Sequence, residues 1–311
     1  VRMMREESDI MIDDILYTSA HLHARSAHRY YRDHHGMVPH GNAMFLTEQF
    51  ATIGLGRLQI TTLDWKAREI HLIWEVRARE YLSMTPYVEG LLQGTYEAVM
   101  EEESVLSSSE SSGVVTFILT PGRRNRQVMN TLHQLPYSLN NLLFLESHDD
   151  SQMRLQHICL NTRQGETFVA DIPCFFTNLS VLVLWSHGCC SGSSYHHVQE
   201  QWLQVGKEMG KVLLDEQTAR HPRWIERIAE KLMTMGYGAI GVRRISEDKV
   251  LLQGETGYED WLHQRLGSKG VVATREMGMG IYWYCFEVQM QKLVVPKRST
   301  GTGNHQLLLT W

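Results

Sequence analysis

The strongest constraint on this chain is that it reads one pattern twice. The stretch from Phe50, FATIGLGRLQITTLDWKAREIHLIWEV, returns after Lys231 as LMTMGYGAIGVRRISEDKVLLQGETG. In both, an apolar helical run enters Gly-x-Gly, then an alternating strand, a polar turn and a second strand. Such self-similarity bounds the architecture before any motif is read. The 311 residues leave room for about two domains of ~150 residues each.

The glycines are Gly54 and Gly56 in the first copy, Gly236 and Gly238 in the second. Glycine closing a helix takes the left-handed conformation that side chains resist, and a second glycine lets the chain turn into a strand. A dinucleotide loop needs its glycines after a strand and before a helix. The order is reversed in this chain, so these are structural turns.

A 43% hydrophobic and 21% charged composition is that of a folded domain with sizeable cores. The formal charge of −5 opposes a dominant nucleic-acid surface, and RRNR at Arg123 to Arg126 reads as a solvated linker. No run approaches the ~20 apolar residues of a membrane span, and no signal-peptide core precedes the first helix. Five cysteines without a regular framework fit reduced thiols. The expectation is a cytoplasmic protein that binds no nucleic acid.

Residues 9–32 are helix-permissive, and Leu46, Phe50 and Ile53 share a face of the next helical run. Leu58, Ile60 and Thr62, then Ile70, Leu72, Trp74 and Val76, alternate as two antiparallel strands around an Asp64–Arg68 turn. The pattern predicts a helix from Pro86 to Met100 and strands at 101–105 and 114–119, separated by an SSSESSG loop. In the second copy it predicts helices from Tyr195 and Pro222, strands at 239–245 and 249–254, a helix near 258–266, and closing strands at 270–275 and 281–289. Strand-like runs at 153–160, 166–171 and 180–185 make the middle segment β-rich.

This order, with GLGR at Gly54, YVEGLLQG at Tyr87, VVTFIL at Val114, VGKEMG at Val205, GYGA at Gly236 and VVATREMGMGIYWYCFEV at Val271, resembles the 4-vinyl-reductase or hydrocarbon-binding domain, related in fold to transport protein particle subunits. Glu276, Gly280 and Cys285-Phe286 are similar to that family's closing signature, and the two units cover roughly two thirds of the chain. The resemblance implies a pocket between helices and sheet for small apolar, aromatic or tetrapyrrole-like molecules, often in sensory or regulatory modules. Where the family often carries the first of its zinc-holding cysteines, this sequence has Met277 and Gly278, so a four-ligand zinc site is not supported there.

Two clusters invite metal chemistry. His21, His23, His28, His34, His35 and His40 crowd the N-terminal stretch, and WSHGCCSGSSYHH carries His187, Cys189, Cys190, His196 and His197. Imidazole and thiolate are ligands for zinc or haem iron. Yet adjacent cysteines do not easily aim at one ion, and neither H-E-x-x-H nor C-x-x-C appears. A Cys-His nucleophile would need contact and a depressed thiol pKa. Glu101 to Glu103 is a charge run of the kind that faces solvent.

The expected protein is therefore α+β, two repeated units with helices packed on antiparallel sheets and a β-rich middle. Its parts are residues 1–125 (N-terminal arm and first unit), 126–194 (linker or insertion), 195–295 (second unit) and 296–311 (tail). The expected function is non-catalytic binding of a hydrophobic or aromatic molecule, possible haem or other tetrapyrrole included, in a regulatory or assembly role. The alternatives are an enzyme of tetrapyrrole or aromatic metabolism and a protein-interaction scaffold, including self-association. Ligand contacts are expected from Trp74, Tyr87, Gly90, Gly94, Trp261, Tyr282, Trp283 and Tyr284, with Tyr282, Tyr284 and Phe286 on one face of the last strand. The candidate metal ligands, for zinc included, are His34, His35, His187, Cys189 and His196, against the bland reading of a polar histidine-rich helix and of cysteines without a role.

Overall fold

Asp13 and Asp14 in the first turn of α1 (Ile12–His35), and Arg32, His34 and His35 in its last, complement the helix dipole. The computed structural model describes residues 12–36, 41, 46–48, 50–51, 53–76, 79–137, 158–161, 166–169, 172–174, 178–235, 237, 240–254, 258–298 and 306–311. After α1 the first unit continues with β1 (Arg57–Asp64), β2 (Glu69–Glu75), α2 (Thr85–Met100), β3 (Ser104–Ser111) and β4 (Val114–Pro121). The middle carries α3 (Asn130–His133), β5 (Ile158–Asn161), β6 (Glu166–Val169), β7 (Ile172–Cys174) and α4 (Leu179–Gly192). The second unit is α5 (Tyr195–Leu213), α6 (Glu216–Arg220), α7 (Trp224–Thr234), β8 (Ile240–Ser246), β9 (Lys249–Gly254), α8 (Tyr258–Arg265), α9 (Ala273–Met290), β10 (Val295–Arg298) and β11 (Gln306–Thr310).

The protein is α+β, and its two four-stranded antiparallel sheets have the same order: β1-β2-β4-β3 and β8-β9-β11-β10. The alternation places Ile70, Leu72, Trp74, Val115, Phe117 and Leu119 on the buried face of the first sheet. Val250, Leu252, Leu307 and Leu309 do the same in the second. Leu72 stands opposite Phe117 and Leu252 opposite Leu307, so the two inner strands of each sheet form the floor of its core. The first core runs on into α4, α5 and α9 through Val181, Trp202 and Met277.

Each unit sets two helices side by side, running in the same direction, against its sheet. Gly90 and Gly94 of α2 lie against the backbone of Tyr17 and His21 in α1, and a methyl group at either would collide with those carbonyl oxygens. In the second unit Gly280 of α9 lies against Leu203, Gly206 of α5 against Met277, and Gly210 against Tyr284. The seam is the same; its glycines are shared differently. The Gly-x-x-x-Gly pair lies on the second helix of the seam in the first unit and on the first helix of the seam in the second.

Several sequence expectations are corrected. Residues 270–289 are not two strands: Ala273–Met290 is one helix, buried on nearly every side, so it shows no amphipathic stripe. The stretch 180–185 is likewise helical, within α4. The SSSESSG segment extends β3 rather than looping, with the turn at Ser112 and Gly113, both at positive φ. Residues expected as a C-terminal tail supply β10 and β11, and β11 pairs with β9 in the interior of the second sheet. Gly54 and Gly56 have φ of 83° and 92°, the left-handed turn expected of them; Gly236 and Gly238 lie outside the described residues. Among the described residues no helix is long and apolar enough to cross a membrane.

Candidate functional site

The eight residues expected to hold a ligand are spent on packing. Trp74 is fully buried, donates its indole N–H to the Leu55 carbonyl and stacks on Phe117 at 6.4 Å. Tyr87 is buried in the same core, and Gly90 and Gly94 are filled by α1. Trp261 packs on Val183, Leu262 and Leu266. Tyr282 donates to the Ile225 carbonyl at 3.3 Å, and burial pushes its hydroxyl pKa up. Trp283 donates to the Val294 carbonyl at 2.9 Å beneath the Lys207 ammonium, 3.9 Å from its ring. Tyr284 fills the space left by Gly210. Because α9 is helical, Tyr282 and Phe286, four residues apart, share a face that packs into the second core, while Tyr284 points elsewhere, so the three-residue band expected of a strand does not form.

An apolar recess does exist in the first unit, between α2 and the inner face of β1, β2 and β4. Ile60, Ile70, Leu72, Leu92 and Leu119 line it, with Leu46 and Trp65 also contributing. Its volume is about 30 Å³, and Trp65 is 40% exposed. Its two polar side chains are already engaged: Thr95 Oγ donates to the Leu91 carbonyl at 2.8 Å and the Tyr96 hydroxyl to the Arg68 carbonyl at 2.7 Å. Such a lining offers dispersion and burial, with no unsatisfied polar group to select a polar substrate.

Beside it, on the helix seam, runs a buried polar network. Glu97 of α2 is 1% exposed and accepts two hydrogen bonds from Arg124, at 2.8 and 2.7 Å, while its Oε2 lies 3.0 Å from His21 Nε2. Burial alone would raise the Glu97 carboxyl; hydrogen bonds from His21 and Arg124 outweigh it and hold the group at about 2. Burial lowers the His21 pKa, so the neutral ring donates from Nε2 and its Nδ1 faces no partner. Tyr17 donates to Gln93 Oε1, and Gln93 to the Ser104 carbonyl. Arg126 reaches Glu89 at 2.7 Å and Asp14 at 3.3 Å, lying 4.7 Å over the Tyr17 ring. Asn125 bonds both the N–H and the carbonyl of Leu106.

RRNR is thus not a solvated linker: Arg124, Asn125 and Arg126 clasp the end of β4 onto both helices and β3. The sequence held a signal for this network. Glu89, Gln93 and Glu97 recur every four residues on an otherwise apolar helix, which puts three polar groups on one buried stripe.

The metal candidates do not assemble. His34 and His35 are exposed at the end of α1, with His34 stacked on Tyr30 at 4.3 Å. His187 accepts from the Lys269 N–H at 3.0 Å, and His196 is exposed near Glu200. Cys189 is buried, which pushes its thiol up to about 12 and away from the thiolate a metal or nucleophile requires. Cys285 is raised to about 12 by the same cause. Among the described residues no three His, Cys, Asp or Glu side chains are grouped to hold an ion. His40 lies outside the described residues.

A second concavity, about 240 Å³, opens between α6 and α7 and is polar: Asp215, His221, Arg227 and Glu230 line it with Lys231. The Lys231 ammonium is already held by the Leu213 carbonyl, Asp215 and Thr218. Comparison of the chain with models of known families and with curated proteins finds no match.

Proposed function

We propose that this chain is a non-catalytic binding module for a small apolar or aromatic molecule, acting in a regulatory or assembly role in the cytoplasm. The observation that carries this reading is the recess of the first unit, lined by apolar side chains and two polar ones already hydrogen-bonded within the protein, and bordered by the part-exposed Trp65. Its volume of about 30 Å³ is that of a narrow space. Drug-sized ligands occupy ~300 Å³ or more, so binding requires the Trp65 side chain and the Leu46 segment to move outward. A planar tetrapyrrole demands a larger opening than a single ring or short chain does. The guest is therefore one compact apolar group.

The buried network supports the same reading by fixing α2 to α1, so that opening falls on Trp65 and Leu46 rather than on the helix seam. The raised thiols of Cys189 and Cys285 favour binding over thiol chemistry. The test is titration of the purified chain with an apolar fluorescent probe, followed by Trp emission. Saturable binding, weakened by Trp65→Ala and blocked by Ile60→Trp, is expected. Unsaturable binding, or binding indifferent to both changes, overturns the proposal.

A further inference from the structure

The outward faces of the two sheets differ in a way their common topology makes legible. Residues paired across antiparallel strands lie on one side of a sheet. In the second sheet the register aligns Lys297, Leu308, Leu251 and Arg243 in one row, on the face opposite the buried Leu252, Leu307 and Leu309. The next row brings Val295, Thr310 and Lys249 together. The first sheet has Ser107, Ile118, His71 and Thr62 in place of the first row, and Glu69 where the second has Lys249. No carboxylate stands in either row of the second sheet.

The turn into each sheet diverges in the same sense. Met100 is followed by Glu101, Glu102 and Glu103, whereas Met290 is followed by Gln291, Lys292 and Leu293. The three glutamates are engaged by Arg32, Arg68 and Arg124. Leu293 instead projects with 79% of its surface exposed, and Val295 with 56%. Arg298 is turned away, toward Glu200 and Glu276. Asp248, in the β8–β9 turn, accepts from Ser246 Oγ at 2.7 Å at one end of the sheet.

From this divergence we infer that the outer face of the second sheet, with the Leu293 turn, docks on an anionic lipid surface. Lys297 and Arg243 stand three strand spacings apart, about 14 Å, with Leu308 and Leu251 between them. Cations at that separation meet phosphates at a headgroup layer, while a projecting Leu and Val enter its apolar boundary. A protein partner would be expected to find an aromatic anchor or a pocket. These rows present neither, only aliphatic groups between point charges. The first unit, with Glu69 and the glutamate turn, cannot face the same surface, so docking orients the chain with its second sheet down. The inference is independent of the recess in the first unit.

Co-sedimentation of the full chain with phosphatidylcholine vesicles, with and without phosphatidylserine, tests it. Binding should require phosphatidylserine and fall as salt rises. Lys297→Glu with Arg243→Glu should reduce it about tenfold or more, and Leu293→Ser, at an exposed turn where the fold is not at stake, by a few-fold. Circular dichroism of each variant should match the parent. Equal binding to neutral vesicles, no binding to either, or charge reversal and Leu293→Ser both leaving binding intact would overturn the proposal.

Discussion

Met100 and Met290 hold the same place in the two units: each ends the long second helix, and each is followed by a non-glycine residue in the left-handed conformation, Glu101 at φ 59° and Gln291 at φ 51°. From that shared stop the correspondence runs back along the helices. Gly90 against Tyr17 matches Gly280 against Leu203, and the His21–Glu97 pair at 3.0 Å matches Lys207–Glu287 at 2.8 Å. One seam has thus been filled with two chemistries, a neutral histidine in the first unit and an ammonium over Trp283 in the second.

The seam leaves no room for a methyl group. Gly90→Ala and Gly280→Ala should each destabilise the chain by about 2–3 kcal/mol, because backbone rather than a side-chain tip would have to yield. Gly36→Ala, at a helix end with open space around it, should cost about 1 kcal/mol for its positive φ alone. Urea midpoints of the three variants check the ranking.

The clasp depends on a buried carboxylate. Glu97→Gln keeps the shape but leaves Arg124 without its buried anion, with only the more distant, exposed Glu103 at 3.8 Å, and should cost about 3 kcal/mol. Replacing Arg124 by Lys loses the two-pronged geometry and should also destabilise. Proteolysis at the β4–α3 connection, faster in both variants than in the parent, would report the released clasp.

Stability should fall with acid in two stages. Burial pushes His23 down to about 4 from an ordinary 6.5, His21 moves in the same direction, and Glu97 sits at about 2 against 4.5. A group with a depressed folded pKa gives stability that is complete above its unfolded value and lost as pH falls toward the folded one. His23 therefore acts between about 6.5 and 4, His21 adds in the same sense below 6.5, and Glu97 acts between about 4.5 and 2. His23, 2.6 Å from the Tyr137 hydroxyl, is the accessible test: His23→Gln should flatten the upper stage in denaturation midpoints measured across it.

Much of the fold was legible, for definite reasons. Where one face meets solvent, as in β1, β2, β8 and β9, alternation marks the strand. Where an element is buried all round, periodicity vanishes: α9 and α4 read as strands because IYWYCF and VLVLW are apolar at every step. Tyr282, Trp283 and Tyr284 were assigned to a ligand by composition, and the helix turns them to three different neighbours. Gly90 and Gly94 were assigned to a ligand, and spacing alone does not say whether backbone or guest fills the room that two glycines leave. The recess needs Ile60, Leu92 and Leu119 from three separated elements, and the clasp joins residues as far apart as Asp14 and Arg126. Pairings over such distances leave no mark in local sequence.

The most direct test of the binding reading is native mass spectrometry of the purified chain, mixed with a graded series of single-ring and short-chain apolar compounds. One bound molecule per chain is expected, with occupancy cut about tenfold or more by Ile60→Trp and no change in the folded charge-state distribution. A chain that stays bare across the series, or that carries several adducts untouched by Ile60→Trp, would contradict it.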